Sequence, residues 1–286
     1  MSGTEESSIW ASGQRHPRWQ RDDLYAPEVL QHPAKMWPSI ARAAIDRYSR
    51  PAQVVLDPMC GIGTVLIEAV RLGRSAVGVD CEREWVELAR RQVADATASR
   101  TGSWGKVFSG DAADLATLLK EKRLRRPVDL IVTSPPYGSV THGRPKTYRE
   151  TAGGVQSRDK RYFTGGAAHP AQLATSSVRK LTAGLERVWA ECAAVLKPDG
   201  VLVVTARPFT EAGVTIDFPS LIVQTAANAG FALSERHAAL LGRWTGGLLR
   251  VHATFFHKNR VRALHQAGEP SFLRVHEDVL VFGRAS

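Results

Sequence analysis

Residues 53–73 read "QVVLDPMCGIGTVLIEAVRLG". The first five form an apolar run that ends in an acid, Asp57. A short turn with two glycines follows, and "TVLIEAVRLG" (64–73) then carries apolar residues at helical spacing until Gly73 stops it. A strand that does not alternate polar and apolar residues is covered on both faces, as in a parallel sheet packed between helices. Gly61 and Gly63 let the backbone turn sharply and bring a ligand close, because no side chain stands in the way.

The rest of the chain repeats this alternation. "SAVGVD" (75–80), "KVFSGD" (106–111), "VDLIVTS" (128–134) and "VLVVTA" (201–206) read as further buried strands. Helical periodicity marks "KMWPSIARAAIDRYS" (35–49), "REWVELARRQVADA" (83–96), "RKLTAGLERVWAECAAVL" (179–196) and a segment near 219–229. "KPDG" (197–200) reads as a turn, and late strands are expected near 233–241 and 275–282. The expected fold is α/β, a mostly parallel sheet with helices on both faces. Residues 1–30 are polar, with Trp10, Trp19 and Tyr25 among arginines, and read as an arm that packs only in part. Residues 31–286 then form a single domain, with a variable polar loop at about 139–172.

Composition narrows the classes. No apolar run approaches the roughly 20 residues of a membrane helix. The N-terminus lacks the basic-then-apolar pattern of a secretory signal. Three scattered cysteines support neither a disulfide framework nor a zinc site, so a reduced cytoplasmic protein is expected. The formal net charge of +10 points to a polyanionic partner.

The glycine turn is not the dinucleotide pattern, since Leu66 stands where a third glycine is due, and it has no phosphate-binding lysine. Acids do close the successive strands. Asp80 is positioned to accept ribose hydroxyls. Asp111, or the backbone beside it, is positioned to read an adenine amino group. An adenosine pocket without a phosphate cradle points to S-adenosylmethionine as cofactor.

"TSPPY" (133–137) ends the fourth strand on the same edge as the glycine turn. An exocyclic base amine is a poor nucleophile, because its lone pair is delocalised into the ring. Acceptors aimed at its two N–H groups favour the tetrahedral nitrogen that methylation requires. Ser134 Oγ and the Pro135 carbonyl are the candidate acceptors, held rigid by Pro135 and Pro136. Tyr137 is a candidate platform for a flipped base.

With these motifs in hand, the chain resembles the amino-methyltransferases of the DNA N4-cytosine/N6-adenine group. "DPMCGIGT" (57–64) resembles their cofactor motif and "SPPY" their catalytic motif. "HPAKM" (32–36) is similar to the segment that closes over the methionine part of the cofactor, and "HEDVLVF" (276–282) to the last strand of the fold. The resemblance covers roughly His32 to Phe282. It implies a Rossmann-like class I S-adenosylmethionine-dependent methyltransferase. The implied cofactor set is His32, Lys35, Asp57, Pro58, Met59, Cys60, Gly61, Gly63, Thr64, Asp80, Cys81, Asp111 and Ala112. In this family a leading serine in the catalytic motif favours N4 of cytosine, so DNA is the expected partner. The alternatives are N6 of adenine, or a base amine of RNA such as guanine N2 in tRNA, whose enzymes carry a related acid-Pro-Pro-Tyr corner. Methylation of cytosine C5 is disfavoured, because it needs a cysteine after a proline and none of the three is so placed.

The chain departs from the family in having no target-recognition domain of the usual size. The candidates to replace it are the arm, residues 242–274 and the loop after Tyr137. In that loop Arg144, Lys146, Tyr148, Arg158, Lys160 and Arg161 are candidate substrate contacts, with Tyr162 and Phe163 able to stack on bases. The basic run "KEKRLRR" (120–126) precedes the fourth strand and reads as a solvated helix end. His142 and His276 lack partners at metal-ligand spacing, so no metal is expected. A monomer or homodimer fits the length.

Overall fold

The computed structural model describes residues 7–21, 25–32, 35–124, 126–137, 169–174, 176–211, 214–252, 255–268 and 272–285. In chain order the strands are β1 (Ile9–Trp10), β2 (Val54–Asp57), β3 (Ser75–Asp80), β4 (Gly105–Ser109), β5 (Val128–Thr133), β6 (Leu196–Ala206), β7 (Phe209–Glu211), β8 (Val214–Ile216), β9 (Phe231–Leu240), β10 (Gly242–Thr245), β11 (Leu248–Val251) and β12 (His276–Arg284). The α-helices are α1 (Pro17–Arg21), α2 (Pro38–Tyr48), α3 (Thr64–Arg71), α4 (Arg83–Ala98), α5 (Leu115–Glu121), α6 (Val178–Val195), α7 (Phe218–Asn228) and α8 (Phe255–Gln266).

The main sheet has the order β1-β9-β12-β6-β5-β2-β3-β4. Its β2–β6 core is parallel, and β12 enters antiparallel between β6 and β9. The parallel strands therefore end, and β12 begins, along one edge. α2, α3 and α4 cover one face through Ile40, Ile45, Leu66, Val70, Trp85 and Val93. α5, α6 and α7 cover the other through Leu115, Leu185, Trp189, Phe218 and Ile222. Double coverage explains why β2 and β5 are buried at every position.

Two expectations change. "KPDG" does not end an element: β6 runs through it, and the register jumps so that Val128 pairs with Leu196 but Leu130 with Val201. The turn residues bulge out of the strand instead of ending it. The arm is also more integrated than its polarity predicts. β1 pairs with β9, and Trp10, Gln20, Arg21 and Tyr25 are buried. Tyr25 Oη donates to the fully buried Glu68 of α3 at 2.9 Å, and Arg42 donates to the same carboxylate. A buried anion needs such partners, so Glu68 fastens the arm and α2 to the helix behind the glycine turn. The exposed Trp19 remains on the surface beside Arg18.

Candidate active site

The glycine turn is built by backbone geometry. Gly61 (φ +48°) and Gly63 (φ +82°) both occupy the left-handed region. A Cβ on Gly61 would stand 3.2 Å from His32 Nε2. The Cys60 N–H donates to the Val79 carbonyl at 2.9 Å, which seats the turn on β3. That seat needs Gly78, where a Cβ would lie 2.4 Å from Leu66 Cδ1 and 2.9 Å from Cys60 Sγ. Gly78 carried no signal of its own in the sequence.

The turn opens into a cleft of about 280 Å³ on the edge where the parallel strands end. Every expected cofactor residue except Gly63 lines it, as do Ser134, Pro135, Pro136 and Tyr137. Gly63, expected in the cofactor set, does not line it: it is the N-cap of α3 and faces Ala89 of α4, at 3.2 Å from a would-be Cβ, which gives it a place in helix packing and the turn.

Asp80 accepts the Gly61 N–H at 2.8 Å and the Glu82 N–H at 2.9 Å. A carboxylate has about four acceptor sites, so Asp80 keeps acceptor capacity for a ligand. Burial pushes its acid up to about 6, against those backbone donors. Asp57 accepts the Met59 N–H at 3.1 Å, and burial pushes it up to about 7. Asp111 lies two residues beyond the end of β4 and caps a 3-10 turn, accepting the Ala113 N–H at 2.9 Å. Thr64 Oγ1 is buried on the cleft wall and has no hydrogen-bond partner among the described residues. His32 packs edge-on against Trp85 at 4.7 Å, and Lys35 Nζ donates to the His32 carbonyl at 2.6 Å. Burial raises the Cys60 and Cys81 thiols, which keeps both unreactive.

Also in the cleft wall, Tyr137 is buried against Phe218 (5.3 Å) and Phe209 (6.1 Å). The Arg207 guanidinium lies 5.7 Å from its ring centroid. The ring expected to be free for stacking is therefore already flanked. Arg207 and Glu277 also line the cleft, with Met36, Trp37, Trp85, Gln172 and Leu173. The sequence reading missed these. Only the chain order, which returns β12 to the catalytic edge, hinted at Glu277. Gln172 Nε2 and the His169 N–H both donate to Glu82 at 3.2 Å, which ties the end of the variable loop beside Asp80. Arg144, Lys146, Tyr148, Arg158, Lys160, Arg161, Tyr162, Phe163 and His142 lie outside the described residues.

The model of a family described as "RMKL-like, methyltransferase domain" matches residues 27–152, a span that contains both motifs. The precorrin-6y C5,15-methyltransferase of Geobacter metallireducens superposes with a TM-score of 0.50, at 12% identity, over 96% of this chain and 100% of that one. The fold is that of a Rossmann-like S-adenosylmethionine-dependent methyltransferase. A tRNA (guanine(10)-N2)-dimethyltransferase of Methanothermobacter thermautotrophicus is 36% identical over 124 residues, which is 42% of this chain and 34% of that protein. Its counterpart in Methanocaldococcus jannaschii is 34% identical over 111 residues, 38% of this chain and 31% of that protein. The type II methyltransferase M2.DpnII of Streptococcus pneumoniae is 32% identical over 63 residues, 22% of this chain and 24% of that protein. The matched stretch thus spans about a third or less of each of these relatives.

The wall fits S-adenosylmethionine, the cofactor of this fold. A carboxylate with spare lone pairs, an orphaned hydroxyl at Thr64 and a turn that a Cβ at Gly61 would crowd are the features of a site built for a polar ligand.

Proposed function

We propose that the chain methylates an exocyclic amine of a nucleic-acid base, and that the amine is N2 of guanine in a structured RNA. One observation carries the reading. The serine-proline-proline-tyrosine corner and the glycine turn share one cleft, in a chain whose longer stretches of identity are with tRNA guanine-N2 enzymes. Asp80 would hold the ribose, Asp111 and Ala112 the adenine, and Thr64, His32 and Lys35 the remaining polar groups. When bound, S-adenosylmethionine supplies an electrophilic methyl group on sulfonium. Ser134 Oγ and the Pro135 carbonyl accept the two amine N–H groups and localise the nitrogen lone pair. Prolines hold that acceptor pair in place, so little reorganisation accompanies the step. The surplus of positive charge serves the phosphate backbone. A surface hairpin adds to it: in β10–β11, Arg243 stands directly opposite Arg250, and Trp244 and Leu248 are exposed. Like charges facing each other across a ladder are unfavourable by themselves, and a polyanion reverses that sign.

A second reading keeps N4 of cytosine in DNA, supported by the serine that opens the corner. Methyl transfer from labelled S-adenosylmethionine to tRNA transcripts, single-stranded DNA and duplex DNA, with products digested to nucleosides and weighed, separates the two. N2-methylguanosine from tRNA is the expected product. N4-methylcytosine from DNA, with none from RNA, would overturn the leading reading in favour of the second.

A further inference from the structure

Two charged side chains of the cleft are given no role in the mechanism proposed above. Arg207 follows the end of β6, and Glu277 is the second residue of β12. Because β12 is antiparallel to β6, with Asp278 opposite Ala206, these residues arrive side by side on the catalytic edge. Both line the cleft with Ser134, Pro135 and Tyr137. Arg207 Nη1 lies 4.0 Å from Glu277 Oε1, and the Glu277 side chain is only 14% exposed.

The bases differ in what stands next to the target amine. In guanine, one ring neighbour of the amine-bearing carbon is N1, which carries a hydrogen, and the O6 acceptor lies beyond it. In cytosine the corresponding neighbour is N3, and in adenine it is N1. Both of those present bare lone pairs. A carboxylate beside the amine-accepting corner attracts the first pattern and repels the other two. We infer that Glu277 and Arg207 select guanine, with Glu277 accepting the N1–H and Arg207 donating to O6. This rests on the guanine-N2 reading and deepens it. Glu277 must be ionised to serve: burial raises its acid, and the Arg207 charge works against that rise. The two side chains together offer an acceptor and a donor, in the manner of paired groups that read base edges elsewhere.

2-Aminopurine tests this directly, because it keeps the N2 amine but has a bare N1 and no O6. A tRNA transcript carrying it in place of the methylated guanine should react with kcat/KM at least about 100-fold below the guanine transcript, since a site built around a hydrogen bond rejects the analogue that lacks it. Glu277→Gln, whose amide can both donate and accept, should bring the two substrates within about tenfold. A calorimetric titration with S-adenosylmethionine checks that the variant is folded and leaves cofactor affinity unchanged. Equal rates on both transcripts with the wild-type chain, or an unchanged ratio in Glu277→Gln, would overturn the inference while leaving the guanine-N2 reading standing. Methylation of cytosine or adenine by the wild-type chain would overturn both. The wild-type comparison needs no variant, so poor folding of Glu277→Gln does not remove the test.

Discussion

From Asp57 to Ala112 one wall of the cleft follows a single stretch of chain, strand end after strand end. A second part of the wall is gathered from Ser134–Tyr137, Arg207 and Glu277, which are far apart in sequence and meet because β5, β6 and β12 are neighbours. The first wall has backbone as its main currency: two left-handed glycines, and carboxylates that already accept backbone N–H groups. The second adds to the proline corner two side chains of opposite charge, Arg207 and Glu277, at close range. A wall of backbone and capped acids suits a ligand that never changes. A wall of side chains on separate strands can be retuned for a different base one residue at a time.

If the walls divide labour in this way, mutations on each should have separable effects. The largest is expected at the corner. In the proposed mechanism Ser134→Ala removes an acceptor for the amine and leaves the expected cofactor residues in place. Turnover should fall about 100-fold, by comparison with the loss of one preorganised hydrogen-bonding group in other sites, while calorimetry shows unchanged S-adenosylmethionine affinity. A fall in cofactor affinity would mean that the walls are not independent.

The converse change is smaller. Asp80→Ala should weaken cofactor binding about 10- to 100-fold, since a hydrogen bond to a charged group is worth roughly 1.5–3 kcal/mol. The rate at saturating cofactor should fall much less. Wild-type affinity in a titration would remove Asp80 from the ribose.

The smallest effect separates stability from catalysis. Burial holds Asp57 at about 7 in the folded chain, against 3.8 for the free side chain. Between those values the unfolded chain has released a proton that the folded chain still holds. Raising the pH through that window therefore favours unfolding, and the contribution is lost by about pH 7. Asp80, held at about 6, acts in the same direction. Asp57→Asn should flatten the fall in melting temperature between about pH 4 and 7 without abolishing it. An unchanged slope would assign the titration to another group.

Much of the fold was legible because buried parallel strands write themselves as continuous apolar runs. β2, β3 and β5 lie within a residue or two of where those runs end. The hairpins β7–β8 and β10–β11 and the helix α8 escaped notice, since short elements on the surface carry little hydrophobic periodicity. The arm was misjudged for a related reason. Polarity marks Gln20 and Arg21 for solvent, yet Gln20 Nε2 donates to the Ser12 and Arg15 carbonyls and Arg21 Nη2 to the Met36 carbonyl. Buried polar groups of this kind are set by partners elsewhere in the chain, which no local window contains.

By itself the sequence determined the sheet, the glycine turn, the acids at the strand ends and the proline corner, because each is a short-range consequence of residue type and spacing. Only the tertiary structure decided that Gly63 packs against a helix instead of lining the cleft, and that Tyr137 is flanked before any base arrives. It alone brought Arg207 against Glu277, since an antiparallel strand inserted beside β6 reverses which of its ends meets the cleft.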